Sequence, residues 1–480
     1  MKSRDTVRAR LGWLHAWLGF LGGVVLFAIF LSGSLAVFDA EITRWMQPDA
    51  PVASSLDPSP EALRAVAAQL DREWKRYPSA FLTLPGRRAP GLHILHYDGH
   101  VFSGPVFDVR DGHSVPLRRT DGGRLFFDLH FTLRGGTVPG VVLVDLAALV
   151  MLVGVVSGMA LHCRALWADM LTFRPGAARV RAWLDMHLLT GVLFLPFVAM
   201  ITYTGIALDP EPVFPVAGRV EAETPAPRPA VTPEPLDVVL PRVVRDAAST
   251  FGPDGAGFVL FAPQIISVYR ADGRQLAMTR DRLDFARDDG HRLAAAGGHD
   301  EARGVISGLH MAQWASWPVR WLYFLSGLAG TALIGTGLVI FLMKRRDRFH
   351  ALRVYRVGEG MTLATVIGLP LACSGYLYAN RLLPPRLANR AALETDLFLM
   401  LWLGWTIVAC VGALRQVARP LWRAGLVGLG GALVTLPLLD VCTRPVAGAV
   451  PTGVVAGVDG CALVVGVAAL LTARRIGRAV

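Results

Sequence analysis

Residues 183–208, WLDMHLLTGVLFLPFVAMITYTGIAL, form an apolar stretch long enough to cross a lipid bilayer, for which a helix needs about 20 residues. His187 lies near the start of this stretch, and Gly191 follows four positions later on the same helical face. A histidine inside a membrane span indicates a functional site. The neighbouring glycine leaves space beside the ring, so the pattern predicts a site for something flat and bulky.

A second stretch with the same pattern occupies residues 11–39, LGWLHAWLGFLGGVVLFAIFLSGSLAVFD. Four landmarks recur in the same order, with His15, Gly19, Gly33 and Asp39 matching His187, Gly191, Gly205 and Asp209. In both stretches 18 residues separate the histidine from the second glycine. Matching landmarks at matching intervals predict an internal duplication of the membrane region.

The composition is typical of a polytopic helical membrane protein rather than of a soluble enzyme. Of the 480 residues, 53% are hydrophobic and 18% are charged, and the mean hydropathy is +0.44. The 48 Lys and Arg residues exceed the 37 Asp and Glu residues, which in a membrane protein indicates anchoring at the cytoplasmic surface of the bilayer. The sequence contains no nucleic-acid-binding motif, and its five cysteines form no CxxC pair that would suggest zinc or a disulfide framework.

Eight apolar segments are predicted to cross the membrane, at about residues 11–38, 138–162, 183–208, 319–343, 357–379, 395–415, 421–441 and 451–473. Basic residues cluster in the short connections on one side of these spans, so the positive-inside rule predicts that both termini are cytoplasmic. The 380–394 loop is the exception, because it carries Arg381, Arg386 and Arg390 on the other side.

The predicted fold is an all-α polytopic membrane protein with two small α+β domains outside the membrane. The predicted units are a first transmembrane helix at 1–39, an external domain at 40–137, helices two and three with their cytoplasmic loop at 138–208, a second external domain at 209–318, helix four and its loop at 319–356, and a four-helix extension at 357–480. Only the first four spans belong to the duplication.

The two external segments are themselves copies of one pattern. FDVRDGHSV at 107–115 aligns with FARDDGHRL at 285–293. The first segment is predicted to contain a helix at 59–74 and strands at 80–84, 91–96 and 101–109. The second is predicted to contain a Pro-rich linker at 225–235, a helix at 236–250 and strands at 257–261, 265–270 and 275–279. We therefore expect one small α+β module in each half.

A second histidine pair follows from the duplication. His130 precedes the second span, in FDLH, and His310 precedes the fourth, in GLH. Two parallel copies are expected to be related by a pseudo-two-fold axis along the membrane normal, which brings His15 to His187 and His130 to His310. Two bis-histidine sites between helices are a common way to hold two b-type haems, one toward each membrane surface.

Other interpretations of these residues stay open. His162 ends the second span level with the first pair, so it is predicted either to replace one of those ligands or to contact a haem propionate. A single membrane histidine is often a structural residue bonded to a neighbouring carbonyl. Zinc is disfavoured, because no Cys or acidic set converges on the histidines. Four arginines could pair with haem propionates, although membrane anchoring is the preferred explanation for most of them: Arg134, Arg164, Arg174 and Arg181.

The sequence resembles the family of PepSY-associated transmembrane proteins over about residues 8–348. The motifs that carry the resemblance are WLHAWLGFLGG, FDLHFTLRGG, LHCRALWADMLTFRPGAARVRAWLD, the 183–205 span and the segment from LHMAQWASWPVRW onward. The resemblance implies periplasmic PepSY modules, the inner membrane of a Gram-negative bacterium and iron uptake, since some members resemble di-haem reductases of ferric siderophores. His15, His130, His187 and His310 match the family histidines. The last four spans lie outside this pattern and contain no histidine.

The expected function is transmembrane electron transfer through two bis-histidine haem b groups to a periplasmic acceptor, with a ferric siderophore as the favoured acceptor. No GxGxxG fingerprint is present, so the donor is expected to be a cytoplasmic reductase or a quinol. The alternative is a membrane-tethered PepSY binding or regulatory protein without haem. A transporter is a third possibility, but Asp145, Asp440 and Asp459 are scattered acids that do not form a coupling site.

Overall fold

The computed structural model describes residues 2–50, 56–77, 80–97, 102–162, 174, 179–208, 232–252, 254–271, 275–278, 281–296, 301–444 and 452–478. Arg164 and most of the predicted Pro-rich linker lie outside these residues. Within them, seven helices are long and apolar enough to cross a membrane, or eight if one bent pair counts as a single span. The predicted polytopic helical fold is therefore confirmed, and the predicted number of eight spans is reached when the bent pair counts as one.

The first half of the membrane region is built from α1 (Lys2–Ala36) and α5 (Thr137–His162), and the second from α6 (Arg179–Leu193), α7 (Leu195–Leu208) and α10 (Trp317–Phe349). The span predicted as one helix at 183–208 is bent by 66° between α6 and α7. Pro196 explains the break, because its backbone nitrogen has no hydrogen to donate to the Val192 carbonyl and its ring clashes with that carbonyl.

The C-terminal extension contains the other four spans. They are α11 (Arg353–Leu363) continued through a π-helical turn (Ala364–Gly368) into α12 (Leu369–Leu382), then α13 (Arg390–Leu414), α14 (Ala418–Thr443) and α15 (Thr452–Arg478). Short helices outside the spans are α2 (Asp39–Met46), α3 (Pro60–Arg76), α4 (Arg124–Thr132), α8 (Leu236–Phe251) and α9 (Glu301–Met311).

One antiparallel sheet combines strands from both external segments. The strands are β1 (Phe81–Thr83), β2 (Leu92–Tyr97), β3 (Phe102–Ser103), β4 (Val106–Phe107), β5 (Ser114–Val115), β6 (Ala256–Phe261), β7 (Ile265–Arg270), β8 (Arg282–Ala286) and β9 (Arg292–Ala296). Their order is β5-β4-β2-β1-β6-β7-β8-β9, and β3 pairs with β2. Leu82 of β1 lies opposite Val259 of β6, so the two predicted modules share one continuous sheet.

The helices α3 and α8 cover one face of this sheet. Leu63, Val66 and Leu70 of α3 are buried at helical spacing, and so are Val239 and Val243 of α8. The start of α3 is fixed by a serine cap, because Ser59 Oγ accepts a hydrogen bond from the backbone N–H of Ala62 at 2.9 Å, and Pro60 follows it. The predicted helices at 59–74 and 236–250 are thus confirmed.

One predicted strand was wrong and three were missed. Residues 275–278 form bends rather than a strand, and the backbone N–H of Met278 donates to Gly304 of α9 at 2.9 Å. This segment therefore bonds to a helix instead of to a neighbouring strand. The missed strands are β5, β8 and β9, and the last two flank the Asp-Asp-Gly sequence at 288–290.

The membrane helices pack closely around α1. Glycines permit this approach, since a Cβ at Gly23 would lie 2.9 Å from Leu338 of α10 and a Cβ at Gly330 would lie 2.7 Å from Phe30. α1 also contacts α4 and α5. The sheet lies beyond the C-terminal end of α1, where Arg88 bonds to Asp39 and Glu41. We call this end of the bundle the sheet side and the other the far side.

Candidate functional site

The far-side cavity lies between His15 of α1 and His187 of α6, with a volume of about 320 Å³. The two imidazole centroids are 6.4 Å apart and the ring planes are inclined by 73°. The helices bring the rings together because both histidines lie near the far-side ends of equivalent spans. His162, at the end of α5, lines the same cavity, so the structure pairs His15 with His187 and adds His162 to the wall.

Hydrogen bonds fix the tautomer of the far-side histidines. His15 Nδ1 lies 3.1 Å from the carbonyl oxygen of Gly154 and 3.1 Å from Ser157 Oγ. A carbonyl can only accept, so Nδ1 carries the proton and Nε2 keeps a free lone pair suited to a metal. The equivalent distances in the second half are 2.9 Å from His187 Nδ1 to the Leu333 carbonyl and 3.1 Å to Thr336 Oγ1.

The sheet-side cavity lies between His130 of α4 and His310 of α9, with a volume of about 480 Å³. These centroids are 5.9 Å apart and the planes are inclined by 23°. His130 Nδ1 donates to the carbonyl of Ile29 at 2.9 Å. His310 Nδ1 lies 3.1 Å from Thr204 Oγ1, whose own proton goes to the Met200 carbonyl. Again Nδ1 is the donor and Nε2 is left for a ligand.

Each of the four imidazoles packs against a glycine of a facing helix. An added Cβ would lie 3.1 Å from His15 at Gly158, 3.2 Å from His187 at Gly337, 2.6 Å from His130 at Gly33 and 3.0 Å from His310 at Gly205. Two of these glycines, Gly33 and Gly205, are the landmarks by which the repeat was predicted. Gly19 and Gly191 line the far-side cavity, where space was expected beside the rings.

The spacing of the rings fits one metal ion between each pair. Two imidazoles that bind one metal from opposite sides, with bonds of about 2 Å, have centroids roughly 6 Å apart. The observed 6.4 Å and 5.9 Å agree with this value. Among the described residues, no group of three or more His, Cys, Asp or Glu side chains could hold a metal. A metal bound here would therefore need its remaining ligands from a bound group.

Basic side chains line both cavities. Arg88, Arg303 and Arg320 reach the sheet-side cavity, and Lys344 and Arg345 reach the far-side cavity. Sequence analysis missed all five, because Arg88 and Arg303 lie in the external segments and the others resemble ordinary membrane anchors.

The arginines considered earlier lie elsewhere. Arg174 and Arg181 each lie 2.9 Å from Asp185, a buried acid two residues before His187. Arg134 lies 3.9 Å from Asp121. None of these described arginines lines either cavity. Their contacts indicate structural ion pairs at the ends of the helices.

The histidines of β2 do not form a metal site with the other described residues. His96 stacks on Tyr77 with a centroid distance of 3.8 Å. His93 is half-buried, and its burial lowers the pKa of its imidazole to about 4. Alternation along a strand places residues three apart on opposite faces, so His93 and His96 do not converge on one site.

Comparison with known families gives one match. The model of the PepSY-associated TM region matches residues 12–344, which include both histidine pairs and the shared sheet. No curated protein matches the chain. The extension from α11 onward lies outside the matched residues. The chain therefore belongs to the family of the PepSY-associated TM region.

Proposed function

We propose that this protein transfers electrons across the membrane through two haem b groups and reduces a ferric siderophore on the sheet side. The observation that carries the proposal is the state of the four histidines: two pairs with ring centroids 6.4 Å and 5.9 Å apart, each ring with Nδ1–H bonded and Nε2 left for a ligand. A structural role would explain a single ring bonded to a carbonyl, but not two such rings brought together at each end of the bundle.

The residues around each pair suit a porphyrin. A porphyrin supplies the four equatorial nitrogens that the described side chains lack, and iron in it supplies one-electron chemistry. The glycines keep side chains away from the rings, and cavities of 320 Å³ and 480 Å³ lie in the range of cofactor sites. Lys344 and Arg345 at the far-side cavity and Arg303 at the sheet-side cavity are suited to the propionates of the group, whereas Arg88 is paired with Asp39 and Glu41.

The two cavities are arranged along one helix. His15 and Ile29, which bonds to His130, are 14 residues apart on α1, or roughly 21 Å at 1.5 Å per residue. Leu26 lines both cavities, so little more than one side chain separates them. A pair of redox groups at these depths would carry electrons through a layer that otherwise insulates.

The proposed acceptor follows from the direction of transfer. If the positive-inside rule holds, the sheet side is periplasmic in the bacterial inner membrane, and electrons arrive on the far side from a cytoplasmic reductase or a quinol. One electron converts Fe(III) in a siderophore to Fe(II), which binds the oxygen ligands more weakly and is released. A cysteine introduced at Asp111, in the exposed turn before β5, tests the orientation: an impermeant thiol reagent should label it in intact spheroplasts.

Absorption spectroscopy of the purified protein tests the cofactor. We expect a Soret band, a reduced α band of bis-histidine haem and two haems per chain. His15→Ala or His187→Ala should each remove about half of the haem, and His130→Ala or His310→Ala the other half. His350→Ala is the control, since that exposed ring bonds only its own helix at Arg346. A colourless protein from haem-replete cells would favour the haem-free regulatory function instead.

Reconstituted vesicles test the acceptor. With a reductant enclosed on the far side, we expect ferric hydroxamate or catecholate complexes outside to yield Fe(II), detected by a ferrous chelator. A haem-loaded protein that reduces none of these complexes would retain the electron-transfer proposal and exclude siderophore reduction.

A further inference from the structure

The C-terminal extension contributes no described residue to either cavity, but it contacts the chain that leads into α4. The contacts are made by seven buried or half-buried polar residues, which we name the anchor cluster. They are Arg118, Thr120, Asp121, Asn380, Arg390, Glu394 and Thr395. Three belong to the loop before α4 and four to the extension.

The centre of the anchor cluster is Glu394 of α13, which is fully buried. It accepts hydrogen bonds from Thr120 Oγ1 at 2.5 Å and from Asn380 Nδ2 at 2.9 Å. Arg390, also fully buried, forms an ion pair with it. A buried carboxylate is costly unless it is paired and hydrogen-bonded, so these contacts hold the loop and α13 in one arrangement.

The extension also bonds the residues on either side of Thr120. The bonds run from Arg390 to the Arg119 carbonyl at 2.9 Å, from Thr395 to the Asp121 carboxylate at 2.8 Å and from Tyr376 to the Gly122 carbonyl at 3.0 Å. Four consecutive residues, 119–122, are therefore each bonded to the extension.

The contact continues into α4 itself. The carbonyl of Asp121 accepts a hydrogen bond from the backbone N–H of Arg124, the first residue of α4, at 3.1 Å. Phe126 is 2% exposed and meets the ring of Tyr376 edge-on at 5.9 Å. Leu129 is buried in the same core, and His130 is the next residue. Part of the buried face of α4 thus packs on the extension, and the rest packs on α1 and α5.

The partner histidine is supported differently. α9 carries His310, and its Gly304 and Gly308 lie against the backbone of residues 276–278 from the external segment. The carbonyl of Gly304 accepts from Met278 N–H at 2.9 Å. The extension thus supports the chain that leads into the helix of His130, and the external segment supports the helix of His310, while the two rings themselves bond to Ile29 and Thr204.

We propose that the extension is a positioning element for the sheet-side site, in which Glu394, Arg390 and Thr395 fix the loop before α4 and thereby the orientation of His130 toward His310. The effect on a bound haem rests on the proposed function, whereas the effect on the loop does not. This assigns a role to the spans beyond the family match.

Hydrogen–deuterium exchange on the full chain tests the anchor without reference to haem. Glu394→Leu should speed exchange in residues 118–129 by about tenfold, as expected when buried charged hydrogen bonds are lost, and leave residues 301–311 unchanged. Thr395→Val removes one bond and should give a smaller increase, which keeps the test open if Glu394→Leu does not fold. Thr406→Val is the matched control on α13, because its hydroxyl bonds only the Trp402 carbonyl.

The midpoint potential and the low-spin electron paramagnetic resonance signal of each haem test the positioning. In Thr395→Val and Glu394→Gln we expect the midpoint potential and the resonance signal of the sheet-side haem to change. We expect those of the far-side haem to stay constant. Unchanged exchange over 118–129 in folded variants would overturn the anchor. Faster exchange with both haem signals unchanged would overturn the positioning of His130. A wild-type protein without haem would contradict the proposed function, while the exchange result would still decide the anchor.

Discussion

The imidazole of His130 lies so close to Gly33 that an added Cβ would be 2.6 Å from His130 Nδ1. The same nitrogen donates to Ile29, so the ring cannot move away without losing that bond. Gly33 is thus a landmark of the sequence repeat, and it is also the residue against which a proposed ligand on another helix packs.

Gly33→Ala should therefore displace His130 and remove the sheet-side haem, leaving about one haem per chain. Gly205→Ala should have a weaker effect, because its Cβ would lie 3.0 Å from His310. Haem stoichiometry from the reduced pyridine spectrum measures both. Gly404→Ala is the control, since nothing lies within 4 Å of its added Cβ. Two haems per chain in Gly33→Ala would show that His130 does not need a glycine at position 33.

Substitution of Thr336 should tune the proposed far-side haem without removing it. The hydroxyl shares the Nδ1 proton of His187 with the Leu333 carbonyl, which remains in Thr336→Val. A weaker acceptor makes the imidazole less basic, so we expect the midpoint potential to rise by less than about 60 mV, the equivalent of tenfold in affinity for one electron. Redox titration resolves the two haems. A change confined to the sheet-side haem would contradict the assignment of His187 to the far side.

The external sheet should lose stability in acid because of His93. Its pKa is about 4 in the folded protein and about 6.5 when unfolded, so the unfolded chain binds more protons between these values. The contribution of His93 to the free energy of unfolding is complete above pH 6.5. It falls by about 3 kcal/mol at most as the pH drops toward 4. Amide exchange of β2 at pH 7 and pH 4.5 measures the change. His93→Gln should reduce the difference, whereas His291→Gln, at an exposed residue, should preserve it.

Asp440→Ala should strongly destabilise the extension. Asp440 is 1% exposed and pairs with Arg381, which is also buried, and with Arg444 at 2.7 Å. Removing it leaves Arg381 charged without its partner, a loss of about 3–5 kcal/mol. Thermal unfolding in detergent measures this loss. The double variant Arg381→Met/Asp440→Leu should recover much of the stability, and failure to recover would assign the loss to packing rather than charge.

The same ion pairs explain the loop that departs from the positive-inside rule. Of its three arginines, Arg381 pairs with Asp440 and Arg390 pairs with Glu394, both inside the protein. Arg386 is exposed at the surface. Most of the positive charge of this loop is therefore neutralised by the fold.

The sequence by itself determined the membrane spans, the duplication and the two histidine pairs. Apolar length and the recurrence of His and Gly at constant intervals are local patterns, so they can be recognised without knowledge of distant contacts. The bend at Pro196 was readable from the same stretch, but the length of the apolar run favoured one continuous helix.

Only the tertiary structure decided how the two halves join and what surrounds the histidines. Three contacts connect residues far apart in the chain: Leu82 pairs with Val259, His130 packs on Gly33 and Thr120 bonds to Glu394. Such contacts depend on which surfaces meet after the helices pack. The side-chain periodicity of a helix or a strand cannot predict these contacts, because it describes only neighbours along the chain.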